Sequence, residues 1–455
     1  AAVSSSMNPP AMKLAVGGSM DLSTGSRWLI LGSFGFHAFC NQFMYMNFAV
    51  VTTIAKDTFG VDNADVNLFY SAALYASVPS FLCVMAFINT RNWTTSLVGL
   101  VATIAAAWIR CLAVQQQSFV LAIVSSVALG PGTGVIFTGF AEVPARWFPP
   151  GWEQSFASGV AVQSAFLGWA IGGLLAPIFI SSTSTMLYFC CVQAVVVTLC
   201  LPVFLCCHRV PVATRSDVDG GINDTGSVDH AGMPENRLGL VEAAKSMICN
   251  WRLLLQSIAC AVMQSVGYTM PAIQEVVLAS QGYDHIQCAA AGFLFIMAGV
   301  ALGIVASGGA SLLNPRRIVL ALFWVGAVAL CLLELTVRYH SEGLAALGHN
   351  CVYGVYLALM ISVGACSLGS LNLALPLVCA SAWPVSEAHI GGAVELLGFG
   401  LAAPLTSLST HHQFLVCASA SIVSALLMSA GVWCHHAEDD RCHQALAPEE
   451  NSYTF

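Results

Sequence analysis

The 455-residue chain is 57% hydrophobic and 8% charged, with a mean hydropathy of +0.77. Its apolar runs are long enough to cross a bilayer, which takes about 20 helical residues, and this excludes a water-soluble globule. A formal net charge of -8 without a basic stripe leaves no electrostatic footprint for nucleic acid.

Residues 1–26 are rich in Ala, Ser and Gly and hold no apolar core, so they read as a cytoplasmic tail rather than a signal peptide. Twelve apolar runs follow, at 28–55, 67–90, 94–115, 118–141, 156–180, 186–207, 253–281, 287–310, 318–337, 349–375, 387–409 and 413–434. Backbone groups in hydrocarbon must satisfy one another within the segment, so each run is predicted to be a helix. A barrel would need alternating segments of about ten residues, and these runs are continuous. The predicted organisation is a six-helix half over 27–207, a central loop over 208–250, a second six-helix half over 251–435 and a tail over 436–455. The loop carries Asp217, Asp219, Asp224 and Asp229 and is too polar to bury; its end, 237–247, has the spacing of a surface helix.

Positive residues are retained in the cytoplasm. With the N-terminus inside, Lys13, Arg27, Arg91, Arg146, Arg209, Arg215, Arg237, Lys245, Arg252, Arg316, Arg317 and Arg441 are internal, against Lys56, Arg110 and Arg338 outside. Both tails and the central loop are therefore expected in the cytoplasm. Most of the 18 cysteines lie inside spans without zinc-ligand spacing, so they read as packing residues, and no metal or cofactor is expected.

The two halves echo one another. Trp147-Phe148-Pro149-Pro150-Gly151-Trp152-Glu153 precedes span 5, with Gly159 beyond it; Trp383-Pro384-Val385-Ser386-Glu387 precedes span 11, with Gly391-Gly392 beyond it. Six spans plus six with such an echo is the pattern of the major facilitator fold, an all-α membrane architecture whose halves rock about a midplane site.

Charge inside the membrane costs roughly 2.5–3.5 kcal/mol per group unless it is paired or faces water. Glu395, well inside span 11, reads as a group that attracts a cation or takes a proton, or as a hydrogen-bonded structural carboxyl. Glu275 in span 7 can line the same cavity or sit in the headgroup zone. Arg110, Glu142, Arg146 and Glu387 read as gating or structural groups: Arg110 reaches toward the headgroups and Glu142 pairs with Arg146 four residues on. Tyr45, Trp108, Phe166, Trp169, Tyr268 and Phe399 are candidates to box an ammonium or stack on a flat ring system, or to pack. His37 and His411-His412 are candidate ligand contacts or ordinary polar groups. No phosphate loop or catalytic elbow appears, so no enzyme is expected.

Arg27-Trp28, Asn41-Gln42-Phe43-Met44-Tyr45, Phe59-Gly60-Val61, Trp108-Ile109-Arg110-Cys111, Arg146-Trp147-Phe148, Met297-Ala298-Gly299 and Pro384-Val385-Ser386-Glu387 occur in an order that resembles the feline leukaemia virus subgroup C receptor family (solute carrier family 49). The resemblance covers roughly 27–435 apart from the central loop. It implies a secondary-type transporter of choline, ethanolamine or haem, with a vitamin as another solute; a non-transporting receptor or sensor on the same fold is the alternative from a different class. It places the family's pocket aromatics on Tyr45 and at or beside Tyr268. Where the family is expected to carry pocket glutamines, this chain has Phe166 and Phe399, which makes the site more apolar. The interdomain signature after span 2 is reduced to Asn89-Thr90-Arg91-Asn92. A monomer in the plasma or an endolysosomal membrane is expected, with a small molecule and the lipid bilayer as partners.

Overall fold

A chain in hydrocarbon has no water to receive its peptide groups, and the computed structural model meets that constraint with helices alone among the described residues. Those residues are 22–149, 151–208, 239–309, 314–339, 349–382, 385–406 and 413–446. The first half consists of α1 (Leu22–Tyr45), α2 (Asp65–Phe87), α3 (Trp93–Gln115), α4 (Phe119–Trp147), α5 (Trp152–Phe179) and α6 (Thr183–Cys206). The second consists of α7 (Trp251–Ala279), α8 (Ile286–Gly308), α9 (Pro315–Arg338), α10 (His349–Ala380), α11 (Glu387–Thr406) and α12 (Gln413–Val432). The amphipathic run before α7 is a short helix, Leu240–Cys249, that buries Ala243 and Met247.

Eleven of these helices are long and apolar enough to span by composition. α1 has the length, at 24 residues, but carries His37, Asn41 and Gln42 inside the bundle. The expected first span of 28–55 is corrected: α1 ends at Tyr45, and a separate short helix, Thr52–Phe59, follows. Polar groups set this break. Asn47 donates from Nδ2 to Gln193 Oε1 at 2.7 Å, and Gly60, at φ +67°, stops the short helix with its N–H on the Lys56 carbonyl.

Helical backbone continues without interruption from Asn63 to Gln115, 53 residues, which as a straight rod would be about 80 Å long. The packing shows a hairpin instead. On α4, Gly130 abuts Ala76 of α2 while Gly132 abuts Thr103 of α3. On α1, Tyr45 bonds Ser77 and Asn41 bonds Thr103. The chain thus reverses between α2 and α3, and both line the same neighbours.

Inside each half the helices pair closely: α1 with α5 and α2 with α4 in the first, α7 with α11 and α8 with α10 in the second. The halves meet where α5 packs on α8 and where α11 packs on α2 and α4. Exposed apolar side chains include Val98, Tyr188, Val328 and Val423 on α3, α6, α9 and α12.

Glycine permits the tightest of these contacts. A Cβ at Gly168 or Gly172 of α5 would overlap the carbonyl oxygens of Phe39 and Phe43 on α1, whereas one at Gly173 would meet nothing. Gly168→Ala is therefore expected to cost about 1–3 kcal/mol by overpacking, and Gly173→Ala almost nothing. Thermal unfolding of the purified variants checks this; equal melting of the two would contradict the close α1–α5 approach.

Candidate substrate site between the two halves

Tyr268 stands in the middle of α7, where Pro271 removes one N–H from the helical ladder and Gly267 lies against Leu368 of α10. Its ring meets Phe399 of α11 at 4.9 Å between centroids, Trp169 of α5 at 5.9 Å, Phe137 of α4 at 6.0 Å and Phe166 of α5 at 6.4 Å. Phe137 and Phe81 close on Phe399 at 5.0 and 5.3 Å. Trp169 stacks on Tyr70 of α2, and Tyr70 meets Tyr45 edge-on at 6.1 Å. These spacings are those at which ring quadrupoles attract, adding about 0.5–1.5 kcal/mol per pair beyond burial. The cluster draws rings from both halves and is buried throughout.

Among the described residues, one charge-bearing group enters this cluster. The Tyr268 hydroxyl donates to Glu395 Oε2 at 2.8 Å, Glu395 is 0% exposed, and its Oε1 has no partner. Among the described residues no basic side chain forms an ion pair with it. A carboxylate buried with one neutral donor lacks several kcal/mol of compensation. It is chemically set to receive a positive charge, either an organic cation or a proton.

The halves are also tied at this level, since the Tyr70 hydroxyl donates to the Tyr268 carbonyl at 2.7 Å. Tyr45 belongs to the first half's own polar network. Its hydroxyl bonds Thr133 at 2.8 Å and Ser77 at 2.9 Å, and Thr133 donates to Asn41 Oδ1 at 3.0 Å. It joins the ring cluster through Tyr70 rather than touching Tyr268.

Of the residues expected from sequence to hold the solute, Phe166, Tyr268, Glu395 and Phe399 come together, with Tyr45 one ring away. The Glu275 side chain lies outside the described residues, as do Trp383, Pro384, His411 and His412. Trp108 is corrected: it is 45% exposed, bonds Thr198 of α6 at 3.1 Å and faces away from the cluster. Arg110 does not reach for the headgroups. It is 2% exposed, donates to the Met44 carbonyl at the end of α1 and sits 4.7 Å over the Phe48 ring. That site exchanges headgroup water for a carbonyl and an aromatic face. Glu142 pairs with Arg146 at 3.5 Å, Arg27 with Glu153 at 3.3 Å, and Glu387 opens the first turn of α11. His37 shares a hydrogen bond with Thr103 at 3.1 Å.

Tyr70, Phe137 and Gln264 were not singled out from sequence. The first two are aromatics within apolar helices, the commonest packing residues of such helices. Gln264 is one of three amides in α7, with Gln256 and Gln274, so the sequence alone did not set it apart.

Comparison with known proteins follows the same lines. The family model for the Major Facilitator Superfamily matches residues 34–407. The choline/ethanolamine transporter FLVCR1 of Felis catus is 21% identical over 287 residues, 60% of this chain and 49% of that protein. The choline/ethanolamine transporter FLVCR1 of Mus musculus is 25% identical over 160 residues, 35% of this chain and 28% of that protein. The choline/ethanolamine transporter flvcr2a of Danio rerio is 25% identical over 162 residues, 35% of this chain and 34% of that protein. The chain thus spans about half the length of the cat relative and a smaller share of the other two. A match running from within α1 to the end of α11, over most of the chain, means that the chain belongs to the Major Facilitator Superfamily.

Proposed function

We propose that this chain is a secondary-type transporter that carries a small organic cation, an amine of the choline or ethanolamine class, by alternating access between its halves. The observation that carries this reading is the Tyr268–Glu395 pair inside a ring of aromatics contributed by both halves. A quaternary ammonium cannot be held by hydrogen bonds to nitrogen. It is held by aromatic faces, worth about 0.5–2 kcal/mol each, and by an anion. Both are present within one residue, Tyr268, and its partner.

The position suits alternating access as well. A solute gripped by α5, α7 and α11 touches walls that separate when the halves rock, and the Tyr70–Tyr268 bond is one that such motion breaks and remakes. One chain supplies every wall, so a monomer suffices. The resemblance to proteins named for choline and ethanolamine transport supports the same solute class. Haem has less support, because His37 is engaged with Thr103 and lies outside the ring cluster.

The test is uptake of radiolabelled choline, ethanolamine and haem into vesicles holding the purified protein, each with and without a pH gradient. Saturable choline or ethanolamine uptake is the expected result. Stimulation by an opposing proton gradient would assign the charge exchange at Glu395 to coupled transport, and indifference to it would assign uniport. Saturable binding of an amine without uptake would replace the transporter by a receptor on the same fold.

A further inference from the structure

Three polar atoms without partners lie where α7 packs on α11. They are both amide atoms of Gln264, which is 3% exposed, and Oε1 of Glu395. Gln264 stands one helical turn before Tyr268, the residue whose hydroxyl holds the other oxygen of Glu395. Its Oε1 lies 3.5 Å from the place a Cβ on Gly398 would occupy, and Gly398 follows Glu395 by three residues on the same side of α11. The Gln264 amide thus packs against α11 within about one turn of the residue that carries the carboxyl. Buried amides without partners are costly, so such a group calls for a ligand or water.

We propose that Gln264 and Glu395 form a two-point subsite that selects a hydroxylated amine: the carboxylate takes the ammonium, and the Gln264 amide takes the hydroxyl. This deepens the amine reading above and rests on it. The chemistry of each group decides its share. An ionised carboxylate only accepts, so it matches a cation, while a primary amide both donates and accepts, which is what a hydroxyl also does. A two-carbon hydroxyamine carries its charge and hydroxyl at a separation that groups on adjacent turns can bridge. An amine of equal charge without the hydroxyl leaves Gln264 unsatisfied, and discrimination follows from that penalty.

The experiment compares choline with tetramethylammonium, which keeps the quaternary charge and lacks the hydroxyl. Binding to purified protein is read as ligand-induced thermal stabilisation, and transport as competition against labelled choline in vesicles. Wild-type protein is expected to bind choline about five- to tenfold more tightly than tetramethylammonium, the worth of one neutral hydrogen bond. In Gln264→Leu that preference should vanish because choline weakens to the level of tetramethylammonium, whose affinity stays unchanged. Gln264→Met keeps the chain length and should behave alike, which covers a folding defect in the first variant. Equal weakening of both cations, an undiminished choline preference in the variants, or no preference in the wild type overturns the subsite while leaving the amine reading intact. Absence of binding by either cation to the wild type overturns the amine reading, and this subsite with it.

Discussion

Glu395→Gln is expected to lower choline uptake by a factor of about a hundred or more while leaving the protein folded. Glutamine matches the carboxylate in size, and its amide oxygen can still accept the Tyr268 hydroxyl, which now sits 2.8 Å from Oε2. What it removes is the negative charge that Glu395 brings to the ring cluster. Losing the partner of a desolvated charge costs about 3–5 kcal/mol, and each 1.4 kcal/mol is a factor of ten. Stability should move the other way. A buried carboxylate without a counter-cation is a burden to the empty protein, so the neutral variant should melt at the same temperature or higher. Uptake of labelled choline in vesicles and thermal unfolding of purified protein measure the two effects. Tyr268→Phe keeps the charge and loses its hydroxyl donor, so a smaller loss is expected there. Near wild-type uptake by Glu395→Gln would remove Glu395 from the site and with it the electrostatic basis of the amine proposal.

Glu395 was legible from sequence because a carboxylate in an apolar run has a price that needs explaining. Span number was legible for a similar reason, since about 20 apolar residues have few other uses. Depth along a helix could be counted, but not direction around it. In a helix apolar on every face, the 3.6-residue period carries little information. Arg110 shows the consequence: its place near the end of α3 suggested the headgroups, while its face turned it onto Met44 and Phe48. Trp108, two residues earlier, is exposed. The end of α1 was misjudged because residues 46–59 remain fairly apolar, and the break depends on Asn47 meeting Gln193, 146 residues away. Tyr70 and Phe137 were hidden because aromatics at helical spacing mostly pack. Their role comes from meeting Tyr268 across the two halves, a tertiary fact no local pattern encodes.

The double substitution Phe166→Gln/Phe399→Gln separates the amine from haem by sign. Both rings are buried, at 1% and 2% exposure, and both face Tyr268, at 6.4 and 4.9 Å. Phe399 also packs on Phe81 and Phe137, so its loss opens space at the junction of α2, α4 and α11. Two amides in that space need hydrogen-bond partners. A small amine can provide them through its N–H and O–H groups, and ethanolamine provides more than choline. Ethanolamine uptake relative to choline is therefore expected to rise by about tenfold, the effect of one or two added polar contacts. A flat apolar macrocycle cannot satisfy the amides, so any haem uptake should fall by a comparable or greater factor. The single variants belong in the same measurement, because residues sharing Tyr268 as neighbour need not act additively. Loss of packing at Phe399 alone would lower both amine activities together, without changing their ratio. A changed ratio thus reports contact with the solute, whereas unchanged uptake of every solute in the double variant would place Phe166 and Phe399 outside the transport path.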